Sequence, residues 1–557
     1  MTYSIQQTKS GKPTLVREEG GRVIRLHSAV DPVSEAAKLA EAFSEGRASH
    51  IAVLGLGLGY HVQALRKKYP DAVILIFESS PQVAKLAKEH NPDCLKNASL
   101  ILGEEELSAF FDEFNISDFK GIAPFIHASS HRLAPEFYDS MLSAAKEQIS
   151  SRISDMLTRF EFQEKWIENI FANVPQLPSA LPVRKFFGRF KGYAGVIVSA
   201  GPSLRKNVRQ LAALKDKALL VCVDTAYKVC LKSGVVPHIV MTIDAQRHSV
   251  KHFLGADANA LLLADIVSCP AILRGYEGRK AVSTTSKYFT TQAGKTIRET
   301  TPAMDWLEKR VEPIGDVQSG GSVATSAFDF LLNAGCDPII LVGQDLAYTG
   351  REIHSAGTHH NDDWLPTCTR LKNLDTINQG VIRRRSIKQA AGWGGGVALT
   401  DFVLDLYRGW FRDAAATSGL TVINATEGGA HIEGARENTL AEAAAALPKV
   451  KCSPAAILAD VTGCIDIKNA SEEFARAEAA LRRFCGLAQT EPDIRRLEAA
   501  AEAEDIAALL EPLMRKTCFY AERRGLTPAE AARVIAADAE QAGAKLAAML
   551  ARAYSLM

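Results

Sequence analysis

The sequence predicts an α/β protein built from two successive regions of parallel sheet and a helical C-terminal domain. Three observations carry that reading. Apolar runs of strand length alternate with helix-compatible segments over residues 51–78 and again from about residue 190, and this alternation implies parallel strands joined by right-handed crossovers. The stretch VPQLPSALPV, with three prolines in ten residues, marks a boundary near residue 180. From about residue 440 the composition turns to alanine-rich segments such as SEEFARAEAALRRF, which favour helix. A chain of 557 residues also exceeds what one hydrophobic core organises.

The first region, residues 1–180, centres on IAVLGLGLGYHVQALRKKYPDAVILIFE, Ile51 to Glu78: strand, glycine turn, helix, second strand. This is half of a dinucleotide-binding, Rossmann-like fold. Gly55, Gly57 and Gly59 allow a tight turn with close backbone approach to a ligand, and Glu78 stands about where a ribose-binding carboxylate would. A nucleotide or methyl-donor site and a turn shaped by packing alone both fit the pattern. The stretch from His131 to Val174, apolar at mixed three and four spacing, reads as a helical connector.

Composition narrows the function classes. Hydrophobic content of 47%, charged content of 23% and a formal net charge of +1 create no field that draws the chain to nucleic acid or membrane. The opening MTYSIQQTKSGKPTLV lacks the apolar core of a signal peptide, and no apolar run approaches the roughly 18 residues that span a bilayer, so a cytoplasmic location is expected. The ten cysteines include no CxxC pair and read as small buried apolar residues, with neither a disulfide framework nor a zinc site.

The central region, residues 181–440, opens with YAGVIVSAGPSLRKNVRQLAAL and KALLVCVDTAYKVCLKSGVVPHIVMTIDAQ and later repeats the theme in SGGSVATSAFDFLLNAGCDPIILVGQDL. In an open α/β sheet ligands bind beyond the carboxyl ends of the strands. Those ends are polar or small: Ser199-Ala200-Gly201-Pro202-Ser203, Asp224-Thr225, Asp244, and Gln344-Asp345. Ser319-Gly320-Gly321-Ser322 precedes a helix whose free backbone N–H groups suit a phosphate. Each has an alternative as a turn or helix cap. Together they describe a crevice with close backbone approach, carboxylates and hydroxyls for ribose and base, and an amide nest, so the expected ligand is a nucleotide.

The segments SAGPSL, CVDTAYKVCLKSGVVPHIVMTID, GGSVATSAFDFLLNAGCDPIILVGQDLAYTGREIHSAGT, GWGGGVALTDF and INATEGGAHIEGA, in order over roughly residues 190–440, resemble the motility accessory factor (Maf) family of bacterial flagellin glycosyltransferases. The resemblance implies a sialyltransferase-like central domain that transfers a nonulosonic acid, pseudaminic or legionaminic in type, from a CMP-activated donor to Ser or Thr of flagellin. By position, Gly201, Pro202 and Ser203 match the family turn, Asp224, Thr225 and Asp244 the nucleotide-reading strand ends, and Gly320, Gly321 and Ser322 the phosphate loop. The chain departs from the sialyltransferase pattern in having Ser199-Ala200 in place of an asparagine, and a single tyrosine, Tyr348, between Gln344-Asp345 and Tyr407.

Within LVGQDLAYTGREIHSAGTHH, Tyr348 is expected to stabilise the departing phosphate with Arg351 nearby, His354 to accept the acceptor proton, and Gln344 and Asp345 to orient substrate or loop. His359 and His360 rival His354 as base. The spacing of the three fits no firm metal template, so no metal ligand is expected, and no cofactor beyond the CMP-sugar donor. The segment TRLKNLDTINQGVIRRRSIKQAAGWGGGVALT, with Arg383, Arg384, Arg385 and Lys388, reads either as a mobile cover over the donor or as a solvated loop. NATEGGAHIEG, Asn424 to Gly434, is expected to return to the same crevice.

Other readings stay open on the sequence: a pterin diphosphokinase-like enzyme holding Mg²⁺ and ATP through Asp224, Asp244 and Asp345; a non-catalytic flagellin-binding factor; and a methyltransferase acting through the first glycine turn. The sequence leaves the oligomeric state open. In the C-terminal domain, residues 441–557, Gly525 is expected to end one helix, and Thr527, Pro528 and Glu530 to start the last with a capping box. Ile535, Ala539, Ala542, Leu546, Met549 and Ala553 form a stripe suited to packing within a helical bundle or to a partner groove.

Overall fold

The structure is a computed structural model that describes residues 2–19, 22–112, 114–116, 119–290, 296–467, 470–491, 493–524 and 526–557. The chain forms two compact units, residues 1–161 and then Phe162–Phe289 with Thr296–Met557. It is of mixed α/β type, with parallel sheets and a helical C-terminal region, as expected.

In the first unit, β1 (Thr2–Gln7), β2 (Pro13–Glu19) and β3 (Arg22–Arg25) form an antiparallel sheet. The strands β4 (His50–Leu54), β5 (Val73–Phe77), β6 (Ala98–Ile101) and β7 (Ile122–Ile126) form a parallel sheet in the order β6-β5-β4-β7. The helix Tyr60–Lys68 crosses from β4 to β5, the Rossmann-like unit read from the glycine turn. Gly55, Gly57 and Gly59 take φ of 103°, 50° and 73°, which only glycine adopts at little cost.

That turn is filled by the unit's own side chains. A Cβ at Gly55 would stand 2.2 Å from Ser130 Cβ, one at Gly57 2.4 Å from His27 Nε2, and one at Gly59 2.3 Å from Cys94 Cβ. The Leu58 amide donates to His27 Nε2 at 2.7 Å, and His61 Nε2 donates to the Gly55 carbonyl at 2.9 Å. Glu78 is buried and accepts from the Leu56 amide at 2.9 Å and the Tyr138 hydroxyl at 3.2 Å. Its carboxylate holds the turn rather than reaching outward, and the geometry favours the packing reading of the three glycines.

The connector is a single helix, Pro135–Asn173. Tyr138, Met141 and Ala145 belong to a core of the first unit, and Ile167, Ile170 and Phe171 to that of the second.

The second unit holds a sheet of eleven strands among the described residues. They are β8 (Ala180–Pro182), β9 (Ala194–Val198), β10 (Ala218–Val223), β11 (Ile239–Thr242), β12 (Leu261–Asp265), β13 (Lys280–Thr290), β14 (Thr296–Glu299), β15 (Asp316–Gln318), β16 (Ile339–Val342), and, past the hairpin of β17 (Ile387–Ala391) and β18 (Val397–Asp401), β19 (Val422–Asn424) and β20 (Arg436–Glu437). The order is β14-β13-β12-β11-β10-β9-β16-β19-β20, with β8 and β15 both paired to β13. From β13 to β20 each neighbouring pair is parallel. Such strands are covered on both faces, which is why ALLVCV and IILV read as unbroken apolar runs and are wholly buried.

The C-terminal helices share this unit's core. Phe171, Trp306 and Phe474 pack with ring centroids 5.5–6.0 Å apart, and Trp306 Nε1 donates to the Asp505 carbonyl at 2.8 Å. The last helix, Pro528–Tyr554, starts with the capping box of Thr527 and Glu530; Gly525 lies outside the described residues. Ile535, Ala539, Ala542, Leu546 and Ala553 are buried, and the stripe closes a bundle with the helix Ala470–Ala488 instead of forming a free groove.

Candidate functional site

The strand order of the large sheet reverses at β9, which has β10 on one side and β16 on the other. Carboxyl-end loops part at such a point and leave the usual ligand crevice. The turn after β9 and the loop after β16 meet here. Ser199 Oγ donates to Gln344 Oε1, the Gly201 amide donates to the Gly343 carbonyl at 2.8 Å, and Asp345 accepts from the Ser203 amide at 3.1 Å and the Ser203 hydroxyl at 2.7 Å. Thr349 Oγ1 adds a bond to Asp345 at 2.5 Å.

In this geometry Gln344 and Asp345 tie the two loops together. Asp345 is 2% exposed, and its oxygens bridge two loops. Burial pushes its pKa up, against the opposing pull of the Thr349 and Ser203 bonds. Gly201 has to be glycine because a Cβ would fall 2.1 Å from Asp345 Oδ1.

The Asn424–Gly434 loop also packs on this edge. A Cβ at Gly428 would lie 2.1 Å from Ser203 Oγ, and one at Gly429, where φ is +77°, 2.1 Å from the Asp345 carbonyl oxygen. Glu427 accepts from Asn207 Nδ2 at 3.1 Å and from the Leu440 amide at 3.0 Å. Leu346, Arg351 and Glu427 have φ of 50°, 62° and 59°. Left-handed non-glycine residues concentrated on the loops of one sheet edge are strain of the kind that functional loops carry. Gly429→Ala is expected to cost about 2 kcal/mol, read as a lower urea midpoint of the second unit; an unchanged midpoint would contradict the packing described.

Along the edge from β9, Asp224 is buried, accepting from Thr242 Oγ1 at 2.7 Å and from the Thr225 amide and hydroxyl at 2.6 and 3.0 Å. Thr225 and Asp244 are half-buried and keep an accessible face. Asp244 accepts from the Gln246 amide at 2.8 Å and lies 3.4 Å from His248 Nε2. Its loop is clipped by the long helix, where Asn169 Nδ2 donates to the Ala245 carbonyl at 3.0 Å.

His354 reaches this edge because the Ser355 amide bonds the Ala200 carbonyl at 2.8 Å. Its ring stacks on His360 with centroids 4.7 Å apart, and His252 and His359 meet Nδ1 to Nδ1 at 2.9 Å. Burial, then the neighbouring imidazoles, push His354 down to about 3. His252 and His359 are also pushed down to about 3, by burial and then His360. The rings are neutral at neutral pH.

On the other flank, the helix Val323–Ala334 runs back toward the start of β16, so its N-terminus lies at the carboxyl edge of the sheet. Ser322 and Thr325 form a capping box, and Thr325 Oγ1 accepts from the Gly320 and Ser322 amides. Among the described residues no hydrogen bond occupies the amides of Val323 and Ala324. Gly320 sits under Trp410, whose Cδ1 would be 2.4 Å from an added Cβ, and Gly321 lies 3.1 Å by the same measure from Tyr407.

The Tyr348 hydroxyl, expected to meet a phosphate, is buried and donates to Asp401 Oδ2 at 2.5 Å. Tyr407 is half-buried, feels the Asp401 carboxylate, and stands over the glycine loop, which makes it the freer phenol. Arg385 is close enough to Tyr348 to influence its titration. The surrounding segment is ordered as the helix Leu374–Ile382 and the β17–β18 hairpin, not an irregular loop, and Lys388 is engaged at 3.4 Å by Asp405. The glycines Gly394–Gly396, all at positive φ, make that hairpin turn.

His252, Tyr407 and Asp401 were not among the residues singled out in the sequence. Asp401 carries the same signal as Asp224, a carboxylate where a strand passes directly into a helix. His252 follows His248 at a four-residue spacing just past Asp244, which is a weaker signal. Among the described residues no helix is long and apolar enough to cross a membrane.

A family model described as 6-hydroxymethylpterin diphosphokinase MptE-like matches residues 168–351. Over 100 residues the chain is 26% identical to an uncharacterized protein of Treponema pallidum (strain Nichols), a match of 17% of this chain that spans 43% of that relative, less than half its length. Among solved structures the chain resembles the Maf glycosyltransferase from Magnetospirillum magneticum AMB-1, with a TM-score of 0.53 at 15% identity, covering 100% of this chain and 93% of that one. The resemblance read from the central motifs is thus met in the fold.

Proposed function

We propose that the chain is a glycosyltransferase that moves a nonulosonic acid, pseudaminic or legionaminic in type, from a CMP-activated donor to Ser or Thr hydroxyls of flagellin, in support of flagellum assembly and motility. One observation carries the reading: the fold shared with a glycosyltransferase covers the whole chain, whereas the diphosphokinase-type likeness covers only residues 168–351. An enzyme with a protein acceptor has a use for large flanking structure that a small-molecule kinase lacks.

In this transfer the bond between the anomeric carbon and the phosphate oxygen breaks, the bond to the acceptor oxygen forms, and the acceptor proton leaves. The amides of Val323 and Ala324 and the Tyr407 hydroxyl are the donors for charge on the departing phosphate, with Arg385 adding a positive field. Thr225 and Asp244 take the nucleoside hydroxyls. His354 accepts the acceptor proton, its basicity raised from the low value of the free protein by the negative charge of the bound donor, and Gln344, Asp345 and Tyr348 hold the loops that carry these groups.

The test is titration of the full chain with CMP, CMP-N-acetylneuraminic acid and ATP with Mg²⁺, followed by thermal shift and calorimetry, for wild type and Asp244→Ala. Stabilisation by CMP without added magnesium, lost in the variant, is the expected result. Silence toward CMP with a response to ATP and Mg²⁺ alone would transfer the assignment to the diphosphokinase class. Tyr407→Phe is expected to slow the appearance of glycosylated flagellin about 100-fold, followed by intact mass over time, while CMP affinity holds; an unchanged rate removes Tyr407 from the reaction.

A further inference from the structure

We infer that His252, His359 and His360 form a binding site for a divalent metal ion of the zinc class. One ring nitrogen of each lies within 4.8 Å of one nitrogen of each of the others. The rings come from two elements, the turn Arg247–His252 and the helix His359–Trp364, whose N-cap is Thr358. His359 has its ring centroid 4.2 Å from that of His252 and 3.8 Å from that of His360.

Tetrahedral zinc with Zn–N bonds of about 2.0–2.1 Å holds its ligand nitrogens about 3.4 Å apart. The His252 and His359 Nδ1 atoms stand at 2.9 Å, and one nitrogen of His360 lies within 4.8 Å of one nitrogen of each partner, so adjustments of about an ångström bring the set to that spacing. Among the described residues the bond between His252 and His359 is the sole hydrogen bond of these three rings. Imidazole is a ligand that zinc-class ions prefer.

The surroundings agree. In the same loop the hydroxyls of Ser355 and Thr358 are buried without a partner, the condition in which a further group is expected nearby. Three protein ligands leave a fourth position for water or a ligand oxygen.

The other buried trio is held differently. His27, His61 and His127 each spend a ring nitrogen on the fold, on the Leu58 amide, the Gly55 carbonyl and Ser130 Oγ. There the Leu58 amide already occupies the His27 Nε2 lone pair.

The inference stands apart from the transferase reading, because binding is read without donor or acceptor. The full chain, stripped with chelator and exchanged into metal-free buffer, is titrated with ZnCl₂ by calorimetry and with CoCl₂ by visible absorption. The expected result is one equivalent of Zn²⁺ and a cobalt spectrum of tetrahedral intensity, with affinity at least 100-fold weaker in His252→Ala and in His359→Ala. Should either variant fold poorly, His360→Gln, at a half-buried position, reads the same site. Absence of wild-type binding, or binding unchanged in these variants, overturns the inference.

Discussion

Asp345→Ala is expected to destabilise the second unit by about 4 kcal/mol and to abolish CMP binding. The side chain is 2% exposed and accepts from the Ser203 amide, the Ser203 hydroxyl and Thr349 Oγ1. Truncation leaves those donors buried without an acceptor, a larger penalty than the net value of the bonds themselves. It also frees the Gly201–Ser203 turn and the Thr349 end of the loop carrying His354 at once. Asp345→Asn keeps one acceptor oxygen and is expected to fall between alanine and wild type. Urea unfolding followed by far-ultraviolet circular dichroism measures the stability term. A loss below about 1 kcal/mol would mean that the loops hold without this carboxylate.

Acidification is expected to weaken the first unit steeply. His27 and His61 are buried and pushed down to about 3 and about 4, by burial first, and His127 is pushed well down by burial and by the other two rings. In the unfolded chain each takes a proton near pH 6.5. The native state stays neutral, so the unfolded state binds more protons as pH falls through 6.5, and stability is lost until the folded values are reached. Between roughly pH 6 and pH 4 His27 and His61 each contribute about 1 kcal/mol per pH unit, and His127 acts in the same direction. Hydrogen exchange of the β4 and β5 amides, corrected for intrinsic rates, reads this term. A flat profile between those pH values would show that the three rings protonate without unfolding the turn.

Much of the architecture was legible because it depends on local pattern. Unbroken apolar runs such as ALLVCV and IILV mark strands covered on both faces, and carboxylates or small residues at their ends mark one edge of the sheet. The last helix was equally plain, since Thr527, Pro528 and Glu530 act within one turn of backbone.

Accessibility was not legible. Asp224, Asp345 and Tyr348 have the residue types of a reacting centre, yet their polar atoms are taken by Thr242, Ser203 and Asp401, from 18 to 142 positions away in sequence. Thr225, Asp244 and Tyr407 have the more accessible polar groups. The first glycine turn teaches the same lesson, because the same three glycines serve a ligand or a histidine equally well in sequence, and His27 arrives from another part of the chain.

By itself, then, the sequence determined the order of strands and helices, their apolar faces, the edge of the central sheet where polar groups collect, and the likeness of that sheet to a known enzyme family. These follow from periodicity and from the fixed direction of a parallel crossover, which act over a few residues to a few tens of residues. The tertiary structure decided which of those polar groups remain available, that Tyr407 rather than Tyr348 has the freer hydroxyl, and that His252 joins His359 and His360. Each of these depends on a partner from elsewhere in the chain, from 18 positions away for Asp224 to 142 for Asp345, and whether a buried carboxylate or imidazole holds the fold or faces a ligand is set by the partners that packing brings within hydrogen-bond reach.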